Sequence, residues 1–275
     1  MPDPLRPNQP KIVAVANQKG GVGKTTTAIN LGAALARHKQ AVLIVDLDPQ
    51  GNASTGLGID PDKRGLTSYD LVLGDAPLSE VIQTTYSHGL YIVPSTTDLS
   101  SADLELVSNE KRLFLLRDAL RQPAMDAFGF DVILIDCPPS LNLLTLNAMM
   151  AADSVLVPLQ AEFFALEGLS QLMLTLREVR QAGNPGLHLE GIVVTMADSR
   201  NNLSRQVEQD VRDTLGDAVF RTVIPRNVRL SEAPSFARSV LDHDPGSLGA
   251  QAYVRLAREF LAANRKKLAA EESSV

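Results

Sequence analysis

The sequence predicts a single doubly wound α/β domain, a mostly parallel sheet with helices on both faces. Short apolar runs rich in β-branched residues alternate with longer stretches of helical periodicity along almost the whole chain. These runs are continuously apolar, as strands buried on both faces require. No internal repeat and no long linker breaks the rhythm of the 275 residues.

In chain order, residues 1–10 are proline-rich and polar, lack the apolar stretch of a secretory signal, and read as a flexible arm. Residues 12–16 form the first expected strand, followed by a glycine-dense loop and a helical pattern over 25–38. Strands are expected at 41–46, 90–93, 131–136, 154–159, 191–195 and 219–224. Helices are expected at 109–120, 143–151, 166–181, 203–215 and 247–264. The domain therefore spans 11–264, and the polar stretch 265–275 reads as a tail that frays.

A net charge of −6 excludes a uniformly cationic surface, so any contact with nucleic acid needs a local basic patch. Cys137, the single cysteine, can form neither an internal disulfide nor a multi-thiolate metal site, which fits a reducing cytoplasm. The purely apolar runs, such as 42–45 and 132–135, are strand-sized, far below the roughly 18 residues of a membrane span. A soluble protein with no membrane partner is expected.

The stretch Lys19-Gly20-Gly21-Val22-Gly23-Lys24-Thr25 lies between an expected strand and an expected helix, the context of a P-loop. Its glycines allow successive N–H groups to turn toward phosphate oxygens, and the helix start adds a positive dipole end. Lys24 supplies a point charge to the outer phosphates of ATP, and Thr25 a hydroxyl for Mg2+. Gln18 stands where the usual pattern has its first glycine, and Lys19 adds a second lysine.

Two strand ends carry acids. Side-chain alternation in 41–48 predicts that Asp46 and Asp48 point the same way, at the sheet edge where doubly wound folds bind ligands. Asp136 ends the 131–136 strand before Pro138 and Pro139, and is the expected carboxylate for Mg2+. Asp46 is expected to support the metal's shell and Asp48 to orient and polarise the attacking water.

Five segments together resemble the ParA (Soj) family of chromosome-partitioning ATPases, in its deviant Walker A group: 19–27, 46–52, 136–141, 162–168 and 224–235. The likeness spans about 11–260 and is nearest to the chromosomal type lacking an N-terminal DNA-binding domain. It implies that Lys19 reaches the phosphates bound by a second subunit, so that an ATP-bound homodimer sandwiches two nucleotides, with Gly20 at the close backbone approach. It implies ATP contacts along Gly20, Gly21, Val22, Gly23, Lys24, Thr25 and Thr26, with Pro225 and Asn227 at the adenine and Thr195 and Met196 nearby. Asp48 matches the hydrolysis-critical aspartate, and 46–52 and 136–142 match two switch regions. The family also implies non-specific double-stranded DNA binding through Arg200 and Arg229, a ParB-like centromere-binding partner that stimulates hydrolysis, and a nucleoid-associated cytoplasmic protein.

Two segments depart from the family pattern: 235–239, where a glycine-lysine-proline run is usual, and Ala197, where a tyrosine is common. Among rival readings, a MinD-like membrane-positioning ATPase needs an amphipathic C-terminal anchor, but the last twelve residues hold one leucine, and Tyr253, Leu256, Phe260 and Leu261 read as a core stripe. A nitrogenase iron-protein relative needs cluster-ligating cysteines that the chain lacks. A P-loop small-molecule kinase or ligase would carry a second substrate pocket, whereas a nucleotide-gated scaffold without catalysis would have no use for Asp48.

Overall fold

In the computed structural model, residues 9–162, 165–198 and 200–272 are described. Most of the expected N-terminal arm, Phe163 and Phe164 of the 162–168 segment, and the last three residues of the expected tail lie outside them. Seven strands, β1 (Lys11–Val15), β2 (Val42–Asp46), β3 (Gln83–Thr84), β4 (Leu90–Val93), β5 (Val132–Asp136), β6 (Ser154–Gln160) and β7 (His188–Thr195), form one sheet in the order β3-β4-β2-β5-β1-β6-β7. Only β3 runs antiparallel. The helices are α1 (Lys24–Arg37), α2 (Asn52–Gly56), α3 (Ser68–Leu73), α4 (Leu78–Val81), α5 (Ala102–Glu105), α6 (Leu115–Leu120), α7 (Leu143–Ala151), α8 (Ala165–Ala182), α9 (Asn202–Leu215), α10 (Val228–Glu232), α11 (Val240–His243) and α12 (Leu248–Glu272).

Strand alternation divides the core between the two faces. Ile12 and Ala14 of β1 pack on one side with Leu116 of α6, Met149 of α7, Leu172 of α8 and Val211 of α9. Val13 and Val15 pack on the other with Leu31 and Leu35 of α1 and with Tyr253, Leu256 and Phe260 of α12. The stripe on α12 is thus core, as its spacing predicts, and no helix among the described residues is long and apolar enough to cross a membrane. At the opposite edge from the glycine loop, the Lys11 ammonium pairs with the buried Glu190 carboxylate at 2.9 Å, and Asn264 Nδ2 donates to the same carboxylate at 2.8 Å. This ties α12 to the first and last strands. The helix expected to end at Asn264 runs on to Glu272.

Two expected elements differ. Residues 219–224 do not form a strand, although Phe220 N and Ile224 N still donate to β7 carbonyls of Ile192 (2.8 Å) and Val194 (2.9 Å). Between them, Arg221 N and Thr222 N donate to the Glu259 carboxylate of α12 at 2.6 and 3.0 Å, so only isolated bridges remain. The helix expected from 109 begins at Leu115, because buried Asn147 of α7 takes the Arg112 carbonyl (2.7 Å) and the Leu116 N–H (3.3 Å).

Gly191 of β7 has no room for a side chain: a Cβ there would lie 2.6 Å from the ring of Phe220, itself buried. Gly191→Ala is expected to lower stability by about 2 kcal/mol through overpacking, read as a fall in the denaturant midpoint; an unchanged midpoint would show that Phe220 swings away freely.

Candidate nucleotide site

Parallel strands bring the C-terminal ends of β1, β2 and β5 to one edge, with β7 beyond, and the loops there build two adjoining cavities. The glycine loop leaves β1 and enters α1 at Gly23. Gly21 (φ 74°) and Gly23 (φ 87°) adopt the left-handed conformation that side chains disfavour. No side chain caps α1, so its first N–H groups are left for an anion. The loop is held by contacts within the protein. Thr195 Oγ1 at the end of β7 donates to the Val22 carbonyl (2.8 Å), and Asn17 Oδ1 accepts from Lys19 N (3.0 Å).

Lys24 is buried and folds back on the loop, its ammonium donating to the Lys19 carbonyl at 3.1 Å. Burial pulls its pKa down, while Asp136, Cys137 and Asp48 oppose the shift. Lys19 lies on the rim, exposed and ion-paired with Glu162.

Asp46 and Asp136 are direct cross-strand neighbours and both are fully buried. Desolvation, reinforced by Asp46, holds Asp136 well above the usual carboxylate range; Thr25 and Lys24 pull the other way. The Thr25 hydroxyl lies beside this carboxylate, yet neither Asp136 oxygen has a hydrogen-bond partner of normal geometry. A buried, unpartnered carboxylate next to a hydroxyl and a phosphate loop fits a Mg2+ ion completed by phosphate and water oxygens. Among the described residues no group of three or more His, Cys, Asp or Glu could form a closed protein cage.

Asp46 has a different environment from the one its sequence position suggests. Its Oδ2 accepts from Ser54 N (2.9 Å) and Ser54 Oγ (2.7 Å), and its Oδ1 from Asp48 N (3.2 Å). Burial raises its pKa to about 6 against these hydrogen bonds. Its oxygens are committed to the following segment, so it acts on that segment's position. β2 ends at Asp46 and the chain then turns, so strand alternation does not reach Asp48, which alone of the pair lines the cavity. Asp48 Oδ1 accepts from Gln50 N at 3.0 Å.

The first cavity, about 490 Å³, gathers Gly20, Gly21, Lys24, Thr25 and Asp48. The second, about 270 Å³, gathers Thr195, Pro225, Asn227 and Tyr253. Gly23, Thr26 and Met196 line both, so the two cavities adjoin. Asn227 Oδ1 caps α10 by accepting from Arg229 N (3.0 Å), which orients the amide toward its role as a cavity wall.

Arg200 and Arg229 line neither cavity. They flank the bridge between Ala197 and Pro225, and both are already paired: Arg200 with Asp198 through two 3.1 Å contacts, Arg229 with Glu232 (2.7 Å) and Asp244 (3.3 Å). Residues that sequence reasoning did not single out include Tyr253 as a wall of the second cavity and Arg238, which lines the first and whose guanidinium lies over the Tyr86 ring. Ala237 carries a left-handed φ of 55°, and this is the segment where the expected glycine-lysine-proline run is missing.

Strand, glycine loop, buried lysine and paired strand-end acids define a P-loop nucleotide-binding protein. A family profile described as an AAA domain matches residues 10–189. The chromosome partitioning protein ParA of Caulobacter vibrioides is 54% identical over 95% of this chain and 98% of its own. The sporulation initiation inhibitor protein Soj of Bacillus subtilis is 49% identical over 92% and 98%. Among solved structures, cobyrinic acid a,c-diamide synthase from Mycobacterium smegmatis with bound ATP analogue and magnesium is 41% identical, with a TM-score of 0.79 over 90% of this chain and 93% of that one. The chain belongs to the ParA/Soj family of chromosome-partitioning P-loop ATPases.

Proposed function

We propose that this chain binds ATP with Mg2+, dimerises in that state, binds double-stranded DNA without sequence preference, and is released when a ParB-like partner stimulates hydrolysis. The observation that carries the nucleotide part is Asp136, fully buried with both oxygens unpartnered beside Thr25 and Lys24. Thr25 and Asp136 would hold Mg2+, which when bound neutralises phosphate charge. The loop N–H groups and Lys24 bind and orient the phosphates, while Pro225 and Asn227 flank the base. Asp48 holds and polarises the attacking water, and Asp46 fixes the segment that carries it.

The dimer reading is supported by Lys19, a cation on the rim that reaches outward from a loop whose own phosphate lysine is Lys24. In the free chain Glu162 holds Lys19; a second subunit's phosphates offer it a stronger anion. The DNA reading rests on Arg200 and Arg229, which are exposed and follow closely in sequence the two sides of one bridge, between Ala197 and Pro225. Each must exchange a carboxylate for a phosphate, so two half-patches joined in a dimer make a usable surface where one does not. A protein working on the nucleoid in the cytoplasm is the setting this implies.

Arg200→Ala and Arg229→Ala are each expected to weaken duplex binding of the ATP state about 10-fold and to flatten its salt dependence by about one contact per subunit. The check is a salt titration of binding alongside light scattering with ADP, ATP and a non-hydrolysable analogue. Unchanged affinity and slope in a variant that still dimerises would move the DNA patch elsewhere. The likeness to a diamide synthase structure favours a second reading, an ATP-driven ligase. Turnover that depends on a small carboxylic acid and ignores DNA would select it.

A further inference from the structure

We propose that Arg64 is a positioning residue for ATP hydrolysis: its guanidinium clamps the turn that carries Asp48. The inference rests on the reading of Asp48 above as the residue that holds the attacking water. Arg64 lies in the connection between α2 and α3, outside the glycine loop and outside every segment that points to phosphate chemistry.

Its guanidinium makes four hydrogen bonds to three separate residues. Nε and Nη2 both donate to the Ile59 carbonyl (3.0 and 2.9 Å), Nη1 to the Ser95 carbonyl at the end of β4 (2.9 Å), and Nη2 to Thr55 Oγ1 (2.7 Å). From Thr55 the chain of contacts runs to the site. The Thr55 hydroxyl donates to the Gly51 carbonyl (3.1 Å), and Gly51 N donates to the Asp48 carbonyl (2.8 Å). Gly51 sits at φ 60°, and a Cβ on it would collide with the Arg64 guanidinium and stand 2.9 Å from the Ser95 carbonyl. The guanidinium therefore packs close against the turn's backbone, where only glycine fits.

A second arm closes the same frame from beneath. Asp46 grips Ser54 through its N–H and its hydroxyl, and Ser54 Oγ accepts from Ser95 N at 3.0 Å. Ser95 is thus held on its carbonyl by Arg64 and on its amide by Ser54, and the Asp48 turn is fixed between them. This geometry uses four of the guanidinium's five N–H donors, held in a rigid plane; an ammonium has the charge but cannot span Ile59, Ser95 and Thr55 together. The energetic target is orientation, because a water-holding carboxylate displaced by a fraction of an ångström loses rate without losing nucleotide.

The test is steady-state hydrolysis by the full chain with Mg·ATP and duplex DNA, using Arg64→Ala, Arg64→Lys and the near-isosteric Thr55→Val. Arg64→Ala and Arg64→Lys are expected to lower kcat about 10-fold while KM and melting temperature stay near wild type. Guanidinium chloride at about 20 mM should restore part of the Arg64→Ala rate and none of the Arg64→Lys rate, whose side chain fills the space. Thr55→Val should lose rate, and Thr55→Val with Arg64→Ala should be no slower than Arg64→Ala alone, since both cut one chain of contacts. Wild-type kcat in Arg64→Ala, while Asp48→Ala is inactive, overturns the clamp and leaves the function intact. So does a loss that multiplies in the double variant, or one that tracks a fallen melting temperature and resists rescue. Ordinary turnover in Asp48→Ala overturns the hydrolytic reading itself, and the clamp with it.

Discussion

Asp48→Ala is expected to keep ATP binding and to lower hydrolysis about 100-fold or more. Asp48 lines the cavity that Lys24 and Thr25 share, but the groups that would grip the phosphates are the loop N–H groups and the Lys24 ammonium. Removing a carboxylate from this anionic ligand's surroundings takes away no attraction for it. What goes is the acceptor that aims the water, and phosphoryl transfer to water depends on aim more than on covalent help. The variant should therefore populate the ATP-bound dimer and remain on DNA. Single-turnover rates beside nucleotide titration check both halves, and ordinary turnover would remove Asp48 from its role.

Asp136→Asn should lower turnover about 100-fold as well, by removing the acid that suits Mg2+. It should also stabilise the empty protein at neutral and higher pH, by about 1–3 kcal/mol. The sign follows from the raised pKa values of Asp46 and Asp136. A carboxyl whose folded pKa exceeds its unfolded value contributes its full stability below the unfolded value, near 4, and loses it as pH rises through the folded one. For Asp46 that loss runs through about 6, and for Asp136 it extends higher. An asparagine does not ionise, so the gap over wild type opens with rising pH and closes toward about pH 4. With Mg·ATP present the order should reverse, because only the wild type gains from the cation. Thermal melts across pH, with and without Mg·ATP, test this; parallel curves for the two proteins would contradict it.

The glycine loop was legible because its whole pattern is contiguous, a strand, three glycines, a lysine and a helix start within about fifteen residues. The buried faces were legible for a similar reason: apolar runs at 42–45 and 132–135 leave little choice but central parallel strands. What failed depended on partners far along the chain. Residues 219–224 have strand composition, but Glu259 takes two of their N–H groups, and nothing local announces it. Alternation aimed Asp46 and Asp48 the same way, but Ser54 takes Asp46 and only Asp48 lines the cavity. Arg64 carries no sequence signal at all, since a cation in a polar loop is ordinary until Gly51 and Ser95 are seen around it.

The order of strands in the sheet has a consequence for synthesis. β1 is made first, yet its neighbours are β5 and β6, more than a hundred residues later, and the loop it launches is pinned by Thr195 at the end of β7. Until β5, β6 and β7 have been made, β1 lacks both of its sheet neighbours and the glycine loop lacks the Thr195 hydrogen bond to Val22. The second cavity also takes Tyr253 of α12 into its wall, so a product that stops before that helix lacks part of the site however completely its glycine loop has been made.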